Sequence, residues 1–129
     1  MDKEKVRVLL NLIIKIHKLE KPNDDYNWGK REGPNLISKT NAVMFMRELF
    51  VAHEILPVRV APTIEEGIFL RYKNGYKDLI VEAYNDSDIG LILTEGKKCM
   101  YNEDISYPFD FSFLEKYNFV KRSKNEVQG

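Results

Sequence analysis

The residue types that most often carry chemistry, histidine and cysteine, are scarce in this chain and do not adopt a known catalytic or metal-binding spacing. The chain has two histidines and one cysteine, and the segment HEILP fails the H-E-x-x-H zinc motif because Pro57 replaces the second histidine. No glycine-rich loop has the spacing that cradles phosphates. We therefore expect no catalytic, cofactor-binding or metal-binding residues, no cofactor and no enzymatic activity. The carboxylate pairs fall in predicted turns, where solvated acids are usual: Asp24–Asp25, Glu65–Glu66, Asp86 with Asp88, and Glu103–Asp104.

A second group of residues is suited to binding a partner. The segment DDYNWGKREG, Asp24–Gly33, holds the only tryptophan of the chain within a polar stretch that has the composition of a loop. A tryptophan is seldom left in water, and Trp and Arg are enriched at the energetic centres of protein interfaces. Two interpretations stay open. Either Trp28 is a structural plug between helix and sheet, or it binds another protein together with Lys30 and Arg31.

Basic side chains on the first predicted helix offer a third kind of surface. Arg7, Lys15 and Lys18 form one stripe that could contact phosphate groups. The chain as a whole carries 20 basic and 20 acidic residues, whereas general nucleic-acid binders usually show a basic excess. A nucleic-acid-associated protein is therefore the alternative interpretation, and a solvated helix face is the simpler one. The hairpin aromatics that could stack on bases are Phe69, Tyr72, Tyr76 and Tyr84.

Two amphipathic helices are predicted to precede a run of strands. Residues 3–20 repeat apolar side chains at spacings of three and four, after Asp2, which is a suitable N-cap. A second helix is predicted from Ser38 or Thr40 to Glu54.

Beyond residue 57 the apolar period changes to two, which is typical of strands with one buried face. Strands are predicted within PVRVAP, GIFLRYK, KDLIVEAY and IGLILT, and CMY is a candidate for a fifth. The Asn74–Gly75 pair predicts a type I′ hairpin turn. We therefore predict a single α+β domain over 1–120, followed by a flexible tail over 121–129. In this domain two helices pack on one face of a four- or five-stranded antiparallel meander, and a short C-terminal helix follows.

An ordered set of short motifs resembles a widespread group of small, uncharacterised bacterial proteins. The group usually has Asp-Gly before the tryptophan of its loop and an acidic residue before a tryptophan at the end of its first long strand. This chain has Tyr26–Asn27 and Arg71–Tyr72 at those places. The resemblance implies the fold and no particular activity. Its motifs are Trp28–Gly29, Leu56–Pro57, Pro62–Thr63 and Gly67-Ile68-Phe69-Leu70.

These observations favour a non-enzymatic protein–protein interaction module of a bacterial system, such as a toxin–antitoxin or defence system. We expect a homodimer with the first helix or an edge strand at the interface, because that helix has more apolar surface than one sheet face needs. Cys99 is the only cysteine, so no disulfide can form within the chain. No apolar run approaches the ~20 residues that a membrane span needs. The expected location is therefore the cytoplasm, without a membrane partner.

Overall fold

The structure, a computed structural model, describes residues 2–22 and 28–121. Within these ranges the strands form one five-stranded antiparallel sheet in chain order, β1-β2-β3-β4-β5. The predicted α+β class, the two N-terminal helices, the meander and the C-terminal helix are confirmed. From residue 122 onward the predicted tail lies outside the described residues. The elements are α1 Lys3–His17, α2 Leu36–His53, β1 Arg59–Thr63, β2 Gly67–Asn74, β3 Lys77–Tyr84, β4 Ile89–Glu95, β5 Lys98–Ile105 and α3 Ser112–Lys116.

Local hydrogen bonds fix where the two long helices begin. The Asp2 carboxylate accepts from two first-turn N–H groups of α1, which confirms the predicted N-cap. The predicted start of α2 at Ser38 or Thr40 is wrong, because Asn35 is the N-cap. The Asn35 side chain accepts from the Ser38 N–H at 3.0 Å, and Ser38 Oγ accepts from the Asn35 N–H at 3.2 Å. Ser38 is therefore the third helical residue of a capping box rather than the cap itself.

Alternate residues of the strands are buried together with residues of the helices. Helix α2 contacts β2 and β3, and α1 contacts α2 and β1. Phe45 of α2 packs edge-to-face on Tyr72 of β2, with ring centroids 6.2 Å apart, and on Phe109 and Phe111 of the segment after β5. We call the buried side of the sheet the core face. Its members in the core cluster are Val60, Ile68, Leu70, Tyr72, Leu79, Val81, Ala83, Ile89, Leu91 and Leu93.

The two edge strands differ from their predicted extents. Val58 falls within the predicted strand PVRVAP, but it precedes β1 and is 63% exposed, whereas Val60 is buried. Strand β5 spans 8 residues instead of the three of CMY. A bulge interrupts its pairing with β4, where Leu93 pairs with Tyr101 and Thr94 with Cys99. The second half of β5 is polar and largely exposed, so it carries no periodic apolar pattern that would have predicted it.

The predicted type I′ turn between β2 and β3 is wrong in position and in type. Asn74 is still paired with Lys77, so Gly75 and Tyr76 are the two central residues. Gly75 has a φ of +60°, whereas Tyr76 is not in the left-handed region. This combination fits a type II′ turn, which has glycine at its first central position. Gly96 has a φ of +58° at the matching place between β4 and β5, and its N–H donates to the Tyr76 carbonyl at 3.0 Å.

Replacing Gly75 with valine should lower the free energy of unfolding by about 1–3 kcal/mol, because a β-branched side chain resists positive φ. Tyr76→Val is the matched control. Tyr76 is 88% exposed and has an ordinary φ, so its replacement should change stability by no more than about 0.5 kcal/mol. Chemical denaturation measures both, and equal losses would contradict the turn geometry.

The Tyr72 hydroxyl is an unusual member of the core. Tyr72 is 1% exposed, and its hydroxyl has no hydrogen-bond partner among the described residues. Burial raises the pKa of this phenol far above its ordinary value. A buried hydroxyl without a partner costs about 1–3 kcal/mol of desolvation.

The Tyr72→Phe variant should therefore be as stable as the natural protein or more stable by about 1 kcal/mol, because it removes only the hydroxyl. Tyr72→Ala should lose about 3–5 kcal/mol, because it also removes the ring that packs on Phe45. Thermal and chemical unfolding measure both changes. A clear loss of stability in the phenylalanine variant would mean that the hydroxyl has a partner in solution.

Candidate functional site

The second side of the sheet is the candidate functional surface. None of its side chains belongs to the core cluster of the described residues or to the partly buried apolar residues packed against that cluster. They come from the strand positions that alternate with the core face, and the register aligns them in cross-strand rows. We call this surface the open face. Its members are Arg59, Ala61, Phe69, Arg71, Lys73, Asp78, Ile80, Glu82, Tyr84, Gly90, Ile92, Thr94, Asn102 and Asp104.

An apolar stripe crosses the middle of the open face. Ile80 lies directly opposite Ile92, and Phe69 is a diagonal neighbour of Ile80 on the adjoining strand. Diagonal neighbours in an antiparallel sheet are within reach of an aromatic side chain. All three residues are half-buried, although none of them is part of the core. The stripe therefore leaves apolar area in contact with water that a partner could bury.

Basic groups flank the apolar stripe on the side of β1 and β2. The Arg59 guanidinium lies over the Phe69 ring, with its carbon 5.7 Å from the ring centroid. Arg71 Nε donates to Asp78 Oδ1 at 2.9 Å, so this pair is close to neutral. Lys73 is exposed next to them near the end of β2. The net charge on this side of the stripe is positive.

Acidic groups flank the stripe on the other side, around a gap left by Gly90. A Cβ on Gly90 would lie 3.7 Å from Asp104 Oδ1 and 3.8 Å from the Tyr84 hydroxyl, so both groups lie beside the missing side chain. Together with Glu82 they line a hollow of about 110 Å³. Glu82 Oε2 is shielded from solvent and has no hydrogen-bond partner among the described residues. Desolvation, followed by the charge of Glu82, raises the pKa of Tyr84 to about 12, which keeps the phenol protonated.

The arrangement is suited to recognition. An apolar centre supplies area to bury, and two separated sets of opposite charge can orient a partner. In the part of the chain that the structure describes, no group of three or more His, Cys, Asp or Glu side chains is placed to hold a metal ion. Sequence reasoning missed the charged residues as a set. Alternation assigns each of them to a strand face, but only the register shows which strands bring them together.

The predicted partner-binding residues lie elsewhere, in the loop before α2. Trp28 is 6% exposed, whereas Lys30 and Arg31 are exposed beside it. Residues 23–27 of the same loop lie outside the described residues. The burial of the indole ring favours the structural interpretation of Trp28. Partner binding by Lys30 and Arg31 stays a prediction.

Asn85 anchors the end of this loop to the turn between β3 and β4. Its Nδ2 donates to the Gly33 carbonyl at 2.9 Å, and its Oδ1 accepts from the Asn35 N–H at 3.0 Å. Its own N–H donates to the Glu66 carbonyl at 2.8 Å, and Asn35 Nδ2 donates to the Asn85 carbonyl at 3.2 Å. The side chain of Asn85 therefore joins the loop to the start of α2, and its backbone N–H joins the turn between β3 and β4 to the turn between β1 and β2. In the sequence, Asn85 begins the segment NDSD, which has the composition of an ordinary turn, and no spacing of residues marks its role.

The residues predicted to contact phosphates and bases do not form one surface. Arg7, Lys15 and Lys18 are exposed on α1 or at its end, and Arg7 lies 3.4 Å from the Glu4 carboxylate. This ion pair offsets one of the three basic charges on α1. The four aromatic residues are separated: Tyr72 lies in the core, Tyr76 in a turn, and Phe69 and Tyr84 on the open face.

If the burial of Trp28 is structural, Trp28→Ala should lower the free energy of unfolding by about 3–5 kcal/mol, the usual range for truncating a buried tryptophan. Because the chain has one tryptophan, fluorescence excited beyond the absorption of its tyrosines reports on this ring alone. We expect blue-shifted emission that resists iodide quenching. Lys30→Ala is the control and should leave both readings unchanged. A red-shifted, easily quenched emission in a chain that tolerates Trp28→Ala would contradict the structural role.

Neither a scan against protein-family models nor searches of curated proteins and of solved structures found a match to this chain. No helix among the described residues is long and apolar enough to cross a membrane. The resemblance to small bacterial proteins therefore stays a prediction, and the case for a function depends on the geometry of the open face.

Proposed function

We propose that this protein is a non-enzymatic interaction module that binds another protein chain through the open face of its sheet. The observation that carries the proposal is the apolar stripe of Phe69, Ile80 and Ile92, which lies outside the core cluster of the described residues. Contiguous apolar area on a surface commonly marks a site of protein–protein contact. The assignment to a toxin–antitoxin or defence system follows from the small size of the chain, its single cysteine and its lack of a catalytic motif, which are frequent among the partner proteins of such systems.

The residue types around the stripe support a protein as the partner. Aromatic residues and arginine are enriched in protein interfaces relative to the rest of the surface, and the open face has Phe69, Tyr84, Arg59 and Arg71. The charged groups lie at the sides of the stripe rather than within it. A charged rim around an apolar centre is the usual anatomy of such an interface.

A homodimer is part of this proposal. The sequence placed the first helix or an edge strand at the interface, and α1 does expose Val8, Leu10 and Ile14. Val8 lies two positions before Leu10, which is about 200° around a helix of 3.6 residues per turn. Leu10 and Ile14 share one side of α1, and Val8 lies on the opposite side. A pair of residues is a smaller apolar patch than the stripe, so the open face is the better supported surface.

The Ile92→Lys variant should lose partner binding, because a charge at the centre of the apolar stripe must be desolvated when a partner docks. Ile92 is half-buried at the surface, so a lysine can keep its ammonium in water in the free protein. Val51→Lys is the matched control, since Val51 is 69% exposed on α2 and does not belong to the open face. Thermal unfolding should show that both variants fold.

The measurement is quantitative capture from an extract of the source cell, with the natural chain and both variants immobilised in parallel. We expect the same protein to be retained by the natural chain and by Val51→Lys and to be lost with Ile92→Lys. Equal capture by all three chains would contradict the role of the open face. Oligonucleotide binding that weakens with salt and is lost in Lys15→Glu/Lys18→Glu would favour the nucleic-acid alternative instead.

A further inference from the structure

We infer that the open face binds the open face of a second copy of this chain, in a two-fold dimer whose axis follows the diagonal from Phe69 to Ile80. The inference depends on the proposed function and names its partner. It is drawn from where the charges lie relative to that diagonal.

The diagonal divides the open face into a basic and an acidic side. Neighbouring strands lie about 4.8 Å apart, and successive residues on one face of a strand are about 6.8 Å apart. The line through Phe69 and Ile80 therefore runs obliquely across β2 and β3. The basic residues on one side of the diagonal are Arg59, Arg71 and Lys73. The acidic residues on the other side are Glu82 and Asp104. Asp78, which lies at the edge of the basic side, is paired with Arg71.

A two-fold axis along this diagonal makes the surface complementary to itself. In a two-fold interface each contact of residue i with residue j occurs a second time with the roles exchanged. On the register of the strands, rotation about the diagonal places Lys73 over β5 of the second copy, between Asn102 and Asp104, so that its ammonium can reach the Asp104 carboxylate. It places Arg59 over the hollow beside Gly90, whose wall includes Glu82 of the second copy. Each attraction therefore occurs twice.

The residues on the axis meet their own copies. Phe69 faces Phe69, and Ile80 faces Ile80, so the centre of the interface is apolar. The hollow beside Gly90 gives the Arg59 guanidinium of the second copy a place next to the shielded Glu82 Oε2. A charge-assisted hydrogen bond there would satisfy an oxygen that lacks a partner among the described residues.

The charges that the rotation pairs have no ion pair with another described residue. The ion pairs between described residues are Arg7–Glu4, Arg71–Asp78 and Lys77–Glu95. None of them involves the four residues that the two-fold axis brings together, which are Arg59, Lys73, Glu82 and Asp104.

The area of the open face is sufficient for a reversible dimer. Five strands of about seven residues cover roughly 24 Å by 24 Å, or about 550 Å² on each copy. Two copies would bury about 1,100 Å², just above the ~1,000 Å² that a specific interface needs. We therefore expect a dimer that dissociates on dilution and that weakens as salt screens its charges.

Paired charge reversals test the arrangement. One variant, Arg59→Glu/Lys73→Glu, makes the basic side acidic. The other, Glu82→Lys/Asp104→Lys, makes the acidic side basic. Each variant alone juxtaposes like charges and should weaken dimerisation by about tenfold or more. An equimolar mixture should restore the dimer as a heterodimer, because each side then faces its opposite charge. Lys15→Glu/Lys18→Glu on α1 is the control and should dimerise like the natural chain.

Sedimentation equilibrium at several salt concentrations measures the dimerisation, and circular dichroism checks that each variant folds. If Glu82→Lys/Asp104→Lys does not fold, Asp104→Lys alone replaces it, since Asp104 is exposed on the edge strand. A monomeric natural chain at high micromolar concentration would overturn the inference. So would a dimer that survives both reversals, or well-folded variants that do not associate when mixed.

The result can be separated from that of the proposed function. If the natural chain is monomeric but Ile92→Lys still abolishes capture of a different protein, the inference fails and the proposed function stands. If the chain is monomeric and Ile92→Lys changes no binding, both fail. Both are supported if the natural chain dimerises and the two charge-reversed variants associate only when they are mixed.

Discussion

A β-sheet has two faces, and the core formed by the described residues takes up one of them. The three described helices contribute buried side chains to a single cluster, and the strand members of that cluster all lie on the core face of the sheet. Burial of the core-face side chains fixes the register of the strands, because a slip of one residue would exchange every inward side chain for an outward one. The same constraint determines what lies on the open face. It fixes Phe69 and Ile80 as neighbours across β2 and β3, and it separates Arg59 from Glu82.

The helical part of the chain is held to the sheet by hydrogen bonds as well as by apolar burial. The side-chain amide of Asn85 joins Gly33 and Asn35, its backbone N–H donates to Glu66, and Asn35 in turn caps α2. These bonds place the start of α2 against the turns at one end of the sheet. At the opposite end, Asn74 Nδ2 donates to the carbonyl of Phe119 at 2.8 Å, which holds the segment after α3. Both ends of the core face are therefore closed by side chains that satisfy backbone groups.

The open face differs from the core face in what its side chains can do. Its apolar residues are too few to drive a second layer within the chain, and its charged residues are arranged in two sets of opposite sign. Such a surface gains little from folding alone, because exposed charges are well solvated and exposed ion pairs contribute little stability. It gains more from a partner that buries the apolar stripe and meets each set with the opposite sign. This geometry supports the recognition role proposed for the open face.

Apolar periodicity alone determined the class of the fold and the order of its elements. Both features depend on the spacing of apolar residues, which can be read from the sequence itself. Sequence reasoning was wrong about the cap of α2, the turn at Gly75 and the length of β5, because each depends on backbone angles or pairing partners. The burial of Trp28, the role of Asn85 and the division of charge on the open face were decided by tertiary structure. The bonds of Asn85 and the division of charge bring together residues that are distant in the chain, and the distance between such residues is set by strand register and helix packing rather than by any local pattern.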